Sequence, residues 1–77
     1  MKVIMLRKKN CTKCTQAKII LEDYAKMIRE VDAESKEGVD LRSKYEINSA
    51  PFFIIDNNGE ELLESSVMKV WKLFQAD

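Results

Sequence analysis

The sequence predicts an α/β fold in the order βαβαββα, and three observations carry that prediction. Residues 3–6 and 52–55 are apolar at every position, as strands covered on both faces are. Between them, and again near the C-terminal end, apolar residues recur at helical spacing. Asn58-Gly59 then separates two strand-like runs. Asn-Gly is a strong hairpin signal because both central residues of a type I′ turn need positive φ.

Each element follows in turn. Lys2 to Arg7 is a short buried strand, and residues 7–10 form a polar loop. A helix starts at Thr12. Cys14, Ala17, Leu21, Tyr24 and Ile28 share one face of it, and it is expected to end between residues 25 and 28. Residues 28–33 form a second strand at a sheet edge, with Val31 and Ala33 alternating against Glu30 and Asp32. A short helix follows between Ser35 and Tyr45, with Leu41 and Tyr45 four apart and Gly38 blurring its beginning. Phe52 opens the third strand. The Asn-Gly turn leads to a returning strand over Glu60–Glu64. Ser65 or Ser66 caps a last helix whose stripe of Val67, Val70, Trp71 and Phe74 reads as core. Helical connections make the first two strands parallel with a right-handed crossover, and the last two form an antiparallel hairpin.

Seventy-seven residues make one domain, 1–77. With 45% hydrophobic and 34% charged residues, the chain can fill one small core and is too apolar to be disordered. The longest apolar stretch, residues 50–55, falls far short of the roughly 20 residues of a membrane span. The four-residue apolar run near Met1 is shorter than the about 7–15 of a signal peptide, so a cytoplasmic protein is expected.

Net charge is zero, but unevenly placed. Residues 1–20 hold Lys2, Arg7, Lys8, Lys9, Lys13 and Lys18 and no acid, and all 13 acids follow. A nucleic-acid binder is usually basic overall. Here the basic segment is short and contains both cysteines, as a local field around a site would.

Two cysteines and no histidine narrow the chemistry. A Ser-His-Asp triad, a Cys-His pair and a histidine-ligated metal are all excluded. Two cysteines are too few for a disulfide framework, or for a four-thiolate zinc site within one chain. What remains is Cys11-Thr12-Lys13-Cys14, a CxxC between a buried strand and a helix start. At that place unpaired backbone N–H groups and the positive end of the helix dipole favour an anion. The thiolate is the nucleophile, and such surroundings lower a thiol's pKa. Lys8, Lys9 and Lys13 add positive charge nearby. Cys14 shares its face with Ala17 and Leu21, so it should be buried while Cys11 stays exposed. The i, i+3 spacing also suits the about 5.5–6 Å Cα separation of a disulfide.

Asn48-Ser49-Ala50-Pro51-Phe52 is the second feature. Proline cannot donate to a sheet ladder, and a strand's first residue is one of its proper places.

With these residues in place, the chain resembles the thioredoxin/glutaredoxin superfamily over nearly its whole length. The likeness rests on the CxxC opening the first helix and the strand-opening Pro51, 37 residues after Cys14. The first strand, Glu30-Val31-Asp32, residues 44–51 and the Asn58-Gly59-Glu60-Glu61 hairpin extend it. The resemblance implies a three-layer α/β/α sandwich with a four-stranded mixed sheet, of the minimal glutaredoxin size. It implies a cis Pro51 facing the CxxC, and an Ala50 backbone offered to substrate. Thioredoxin's buried acid before the CxxC has no counterpart, because residues 3–6 are apolar.

The implied activity is reduction of protein disulfides by Cys11 as nucleophile and Cys14 as resolving thiol. The implied substrate-binding residues are Lys8, Thr12, Lys13, Ala50 and Pro51. Lys8 falls where many glutaredoxins place a basic residue near the glutathione carboxylate. Their glycine pair and acid before the last helix are replaced by Leu63-Glu64-Ser65-Ser66-Val67-Met68, and their usual Pro-Tyr by Thr12-Lys13. The expected electron donor is therefore a thioredoxin-reductase-type flavoenzyme, with glutathione the alternative. No permanently bound cofactor and no metal are expected. The partner is a disulfide-bearing protein, not nucleic acid or membrane, and the chain is expected to be a monomer. Two rival readings stay open: a dimer whose two CxxC pairs share a zinc ion or an iron–sulfur cluster, and an interaction protein with an idle CxxC.

Overall fold

The computed structural model describes residues 1–76. Its elements run β1 (Lys2–Arg7), α1 (Thr12–Ile20), a 3-10 segment (Glu22–Met27), β2 (Ile28–Asp32), α2 (Lys36–Tyr45), β3 (Phe52–Asn57), β4 (Glu60–Glu64) and α3 (Val67–Ala76). The four strands form one mixed sheet in the order β2-β1-β3-β4. β1 pairs with β2 in parallel and with β3 antiparallel, and β3 pairs antiparallel with β4. β2 is an edge strand, as its alternation predicts.

β1 and β3 are apolar throughout because each lies between two cores. Val3, Met5, Phe53 and Ile55 join Ala17, Leu21, Val70 and Phe74 in the larger one, beneath α1 and α3. Leu6, Val31, Ile47 and Ile54 form the smaller one, flanked by Leu41 and Tyr45 of α2. Helices thus cover both faces of the sheet. Each fully buried large apolar side chain is worth roughly 1.5–3 kcal/mol. The larger cluster, with Phe53, Met5, Leu21, Ile55, Val3 and Val70 all fully buried, therefore contributes most of the stability.

α1 ends earlier than the helical spacing predicts, at Ile20 instead of residues 25–28. The Tyr24 amide bonds to the Leu21 carbonyl at 2.9 Å, three residues back. Side chains three apart eclipse in a 3-10 turn, so Leu21 and Tyr24 still lie on one face. That face seats Tyr24 on Phe74 of α3, with stacked rings 4.5 Å apart. Gln75 also donates to the Tyr24 hydroxyl. The apolar spacing reports the face, and the two kinds of helix share it.

α2 begins at Lys36, with Ser35 as its cap and the Ser35 hydroxyl accepting from the Gly38 N–H at 3.0 Å. Gly38 is needed for closeness. A Cβ there would lie 2.8 Å from the Ala33 Cα and carbonyl carbon and would strike the Asp32 carbonyl. At the hairpin, Asn58 and Gly59 have φ of 54° and 90°, as a type I′ turn requires. Ser66 caps α3 loosely, its hydroxyl 3.4 Å from the Lys69 N–H. No helix among the described residues is long and apolar enough to cross a membrane.

Candidate active site

The chain leaves β1 at Arg7 and turns through three exposed residues, Lys8, Lys9 and Asn10. Asn10 adopts a left-handed φ of 54°, a conformation asparagine tolerates better than most residues. Cys11 then takes an extended conformation, φ −109° and ψ 105°, and caps α1. Its carbonyl accepts the Thr15 N–H at 3.1 Å and the Thr15 hydroxyl at 3.2 Å. Its sulfur takes the place usually held by a serine or aspartate oxygen: Sγ accepts the Cys14 N–H at 3.1 Å.

Cys11 and Cys14 are joined as a disulfide, with Cα atoms 5.2 Å apart. Cys14 is 3% exposed, against the larger core. Cys11 is half-buried, so one sulfur of the pair faces outward. No acid lies in the first turn of α1 to oppose the helix dipole. The donor on Sγ and the dipole together favour a thiolate at Cys11 once the disulfide is reduced.

Leu6 at the end of β1 pairs with Phe52 at the start of β3, so the loops beyond them meet at one end of the sheet. The Ala50–Pro51 peptide there is cis, as the resemblance implies. Pro51 is buried and Ala50 half-buried. The Ala50 carbonyl oxygen lies 4.0 Å from Cys11 Sγ. Two segments 39 residues apart in sequence thus meet at the outward-facing sulfur.

Of the sequence-predicted residues, Lys8 and Thr12 line a groove of about 510 Å³ together with both cysteines. Lys13 is exposed in the first turn of α1 and does not line that groove. Ala50, in the loop before β3, brings its carbonyl oxygen to Cys11, and Pro51 follows it directly before that strand. A larger groove, about 800 Å³, contains neither cysteine and lies at the far end of the sheet, among Ile4, Ile28, Tyr45 and Ile54. Both cysteines sit in the smaller, more polar groove.

Sequence reasoning missed Glu30. Its carboxylate pairs with Arg7 Nε at 3.0 Å and with Lys18 Nζ at 3.4 Å. Only strand pairing brings it there, so no local pattern marks it. Glu64 also turns inward on its own chain. Its Oε2 accepts the Ser65 N–H at 3.0 Å and the Ser66 N–H at 2.9 Å, at the start of α3.

Comparison with known proteins places this geometry. No family model matches the chain, and no curated protein matches it in sequence. Solved structures do match. The thioredoxin Deadhead of Drosophila melanogaster superposes with a TM-score of 0.72 at 16% identity, over 96% of this chain and 77% of that one. A thioredoxin of Schistosoma mansoni, solved reduced, gives 0.71 at 22% identity, over 96% and 75%. A thioredoxin-like protein of closely similar size gives 0.70 at 23% identity, over 95% and 99%. The chain has the thioredoxin fold. Within that fold it carries a CxxC disulfide at the start of α1, with the carbonyl oxygen of Ala50, which precedes the cis proline, 4.0 Å from Cys11 Sγ.

Proposed function

We propose that the protein is a dithiol–disulfide oxidoreductase that reduces disulfides in other proteins. The observation that carries this reading is the Cys11 sulfur, half-exposed at a helix N-terminus and holding the Cys14 N–H at 3.1 Å.

In the reduced protein the Cys11 thiolate attacks one sulfur of the substrate disulfide. The substrate S–S bond breaks, a Cys11–substrate disulfide forms, and the displaced substrate thiolate takes a proton from solvent. Cys14 then loses its proton and attacks Cys11 Sγ, releasing the second substrate thiolate. Two electrons have passed to the substrate, and the Cys11–Cys14 disulfide is the oxidised product. The substrate chain is proposed to lie along Ala50, whose carbonyl oxygen is 4.0 Å from the sulfur, and the adjacent Pro51. The sheltered position of Cys14 keeps it from competing with Cys11 for substrate, while its place one turn on keeps it within reach of the mixed disulfide.

The reductant we propose is a thioredoxin-reductase-type flavoenzyme. Glu64 supports that choice over glutathione. Its carboxylate occupies the Ser65 and Ser66 amides at the start of α3, where an incoming carboxylate would otherwise find donors.

NADPH consumption, with insulin as the disulfide substrate, tests both points. Turnover is expected with a thioredoxin reductase and little with glutathione plus glutathione reductase. The reduction potential sets the direction: a value near thioredoxin's, about −270 mV, fits a reductant, and one near about −120 mV an oxidant. Insulin reduced no faster than by free thiol would overturn the reading. So would zinc or iron purifying with a dimer of the chain.

A further inference from the structure

We propose that the disulfides this protein acts on are flanked by acidic residues, which Lys8, Lys9 and Lys13 recognise. The inference rests on the function proposed above and names its substrate class.

The structure sorts the six bases of residues 1–20. Arg7 and Lys18 are both paired, sharing the one carboxylate of Glu30. Lys2 begins β1, at the opposite end of the sheet from Cys11. Lys8, Lys9 and Lys13 remain, all exposed and none paired with an acid among the described residues. Two of them stand two and three residues before Cys11, and the third stands two after it.

The acids at this end of the sheet lie at its two edges: Asp32 ends β2 with Glu34 just beyond it, and Glu64 ends β4. The three lysines stand within three residues of Cys11, which follows the inner strand β1. A substrate approaching Cys11 therefore meets three unpaired ammonium groups. At physiological ionic strength charges act over about 8 Å, so acids within a few residues of the substrate cysteine feel them. A field of this kind raises the association rate by about 10- to 1,000-fold, and the gain falls with salt.

Carboxylates reach this site from two sources, an acidic peptide or glutathione. The protein source is favoured because Glu64 already fills the amides at the start of α3. Nucleic acid is disfavoured because it offers no disulfide, and the groove beside Cys11 has no aromatic side chain on which a base could stack.

Three disulfide-linked peptides of equal length, with acidic, neutral and basic flanks, test the proposal in the wild-type protein. Oxidised glutathione and 2-hydroxyethyl disulfide serve as further substrates. At low salt the acidic peptide is expected to react at least about 10-fold faster than the basic one. The ratio should shrink toward one at about 0.5 M salt. Replacing all three lysines by serine should abolish the preference, whereas Lys2→Ser should keep it. A change in Cys11 reactivity acts on both peptides alike, so the ratio isolates the flank. Equal rates for the three peptides at low salt would overturn this inference and leave the proposed function standing. So would oxidised glutathione matching the acidic peptide, or an oligothymidine binding more tightly than that peptide. Failure to reduce any of the five disulfides would overturn both.

Discussion

The Cys14 amide donates to Cys11 Sγ at 3.1 Å, so the residue that closes the disulfide also supplies the donor that holds its partner sulfur. The two contributions of Cys14 are separable, because the N–H belongs to the backbone and survives replacement of the side chain. Cys14→Ser should therefore keep a reactive Cys11 that traps substrate as a mixed disulfide. Cys11→Ser should drop insulin reduction to the uncatalysed background and trap nothing. Alkylation of the reduced protein, followed by peptide mapping, should label Cys11 first. Faster labelling of Cys14 would reverse the assignment.

Gly38 gives the clearest stability prediction. A Cβ there meets the Ala33 and Asp32 backbone, which cannot move aside as a flexible side chain can. Gly38→Ala should cost about 1–3 kcal/mol, typical of overpacking, despite alanine's better helix propensity. Urea unfolding would show it as a lower midpoint at unchanged slope. No loss of stability would mean that α2 can lift off β2.

Most of the architecture was readable from local pattern. The apolar runs of β1 and β3, the Asn58-Gly59 turn and the stripe of α3 each follow from a rule acting within a few residues. The end of α1 was not, because α-helical and 3-10 turns keep Leu21 and Tyr24 on nearly the same face. Gly38 looked like a helix weakness, since its value lies in a contact with residues of another element. The site divided the same way. Cys11 and Cys14 were legible from spacing, while the pairing of Glu30 with Arg7 and Lys18 depends on the β1–β2 register. That pairing takes Arg7 and Lys18 out of the six bases counted in sequence, and the place of Lys2 at the start of β1 leaves the three around Cys11.

Phe74 links α3 to the 3-10 segment through its stack on Tyr24, and is itself 5% exposed. Phe74→Ala should cost about 3–5 kcal/mol, the usual loss for a buried aromatic. Tyr24→Leu removes the stack and the Gln75 bond but keeps apolar cover, so it should cost less. A double-mutant cycle should give a coupling of about 0.5–1.5 kcal/mol for the aromatic pair. Additive losses would show that the stack contributes only buried area.

Arg29 grips Glu37 at 2.8 and 2.6 Å, tying β2 to α2. The hydrogen bonds from Arg29 hold the Glu37 carboxyl below its ordinary value; desolvation opposes them, and the arginine charge adds to them to a smaller extent. A carboxyl lowered in the folded state adds stability above its unfolded pKa, and that stability is lost as pH falls through the folded value. Both groups are exposed, so the contribution is small. Arg29→Met should lower the melting temperature slightly at pH 7 and not at about pH 2, where the carboxyl is protonated in either state. A difference that persists in acid would trace to packing of the arginine stem.

Glu64 bears on the choice of electron donor. It ends β4 opposite Phe53, two residues past Pro51, and its carboxylate sits on the Ser65 and Ser66 amides. A helix N-terminus stabilises an anion by about 0.3–1 kcal/mol, and here the chain supplies its own. Glu64→Ala frees both amides and removes a negative charge from the approach of an anionic tripeptide. Turnover with glutathione and glutathione reductase should then rise roughly two- to fivefold, the rate equivalent of that same range. Glu64→Gln removes the charge but keeps an oxygen that can accept the amides, so its gain should be smaller. The rate with thioredoxin reductase serves as the reference for any loss of folded protein. A glutathione rate that stays flat in both variants, relative to that reference, would show that Glu64 does not exclude the tripeptide.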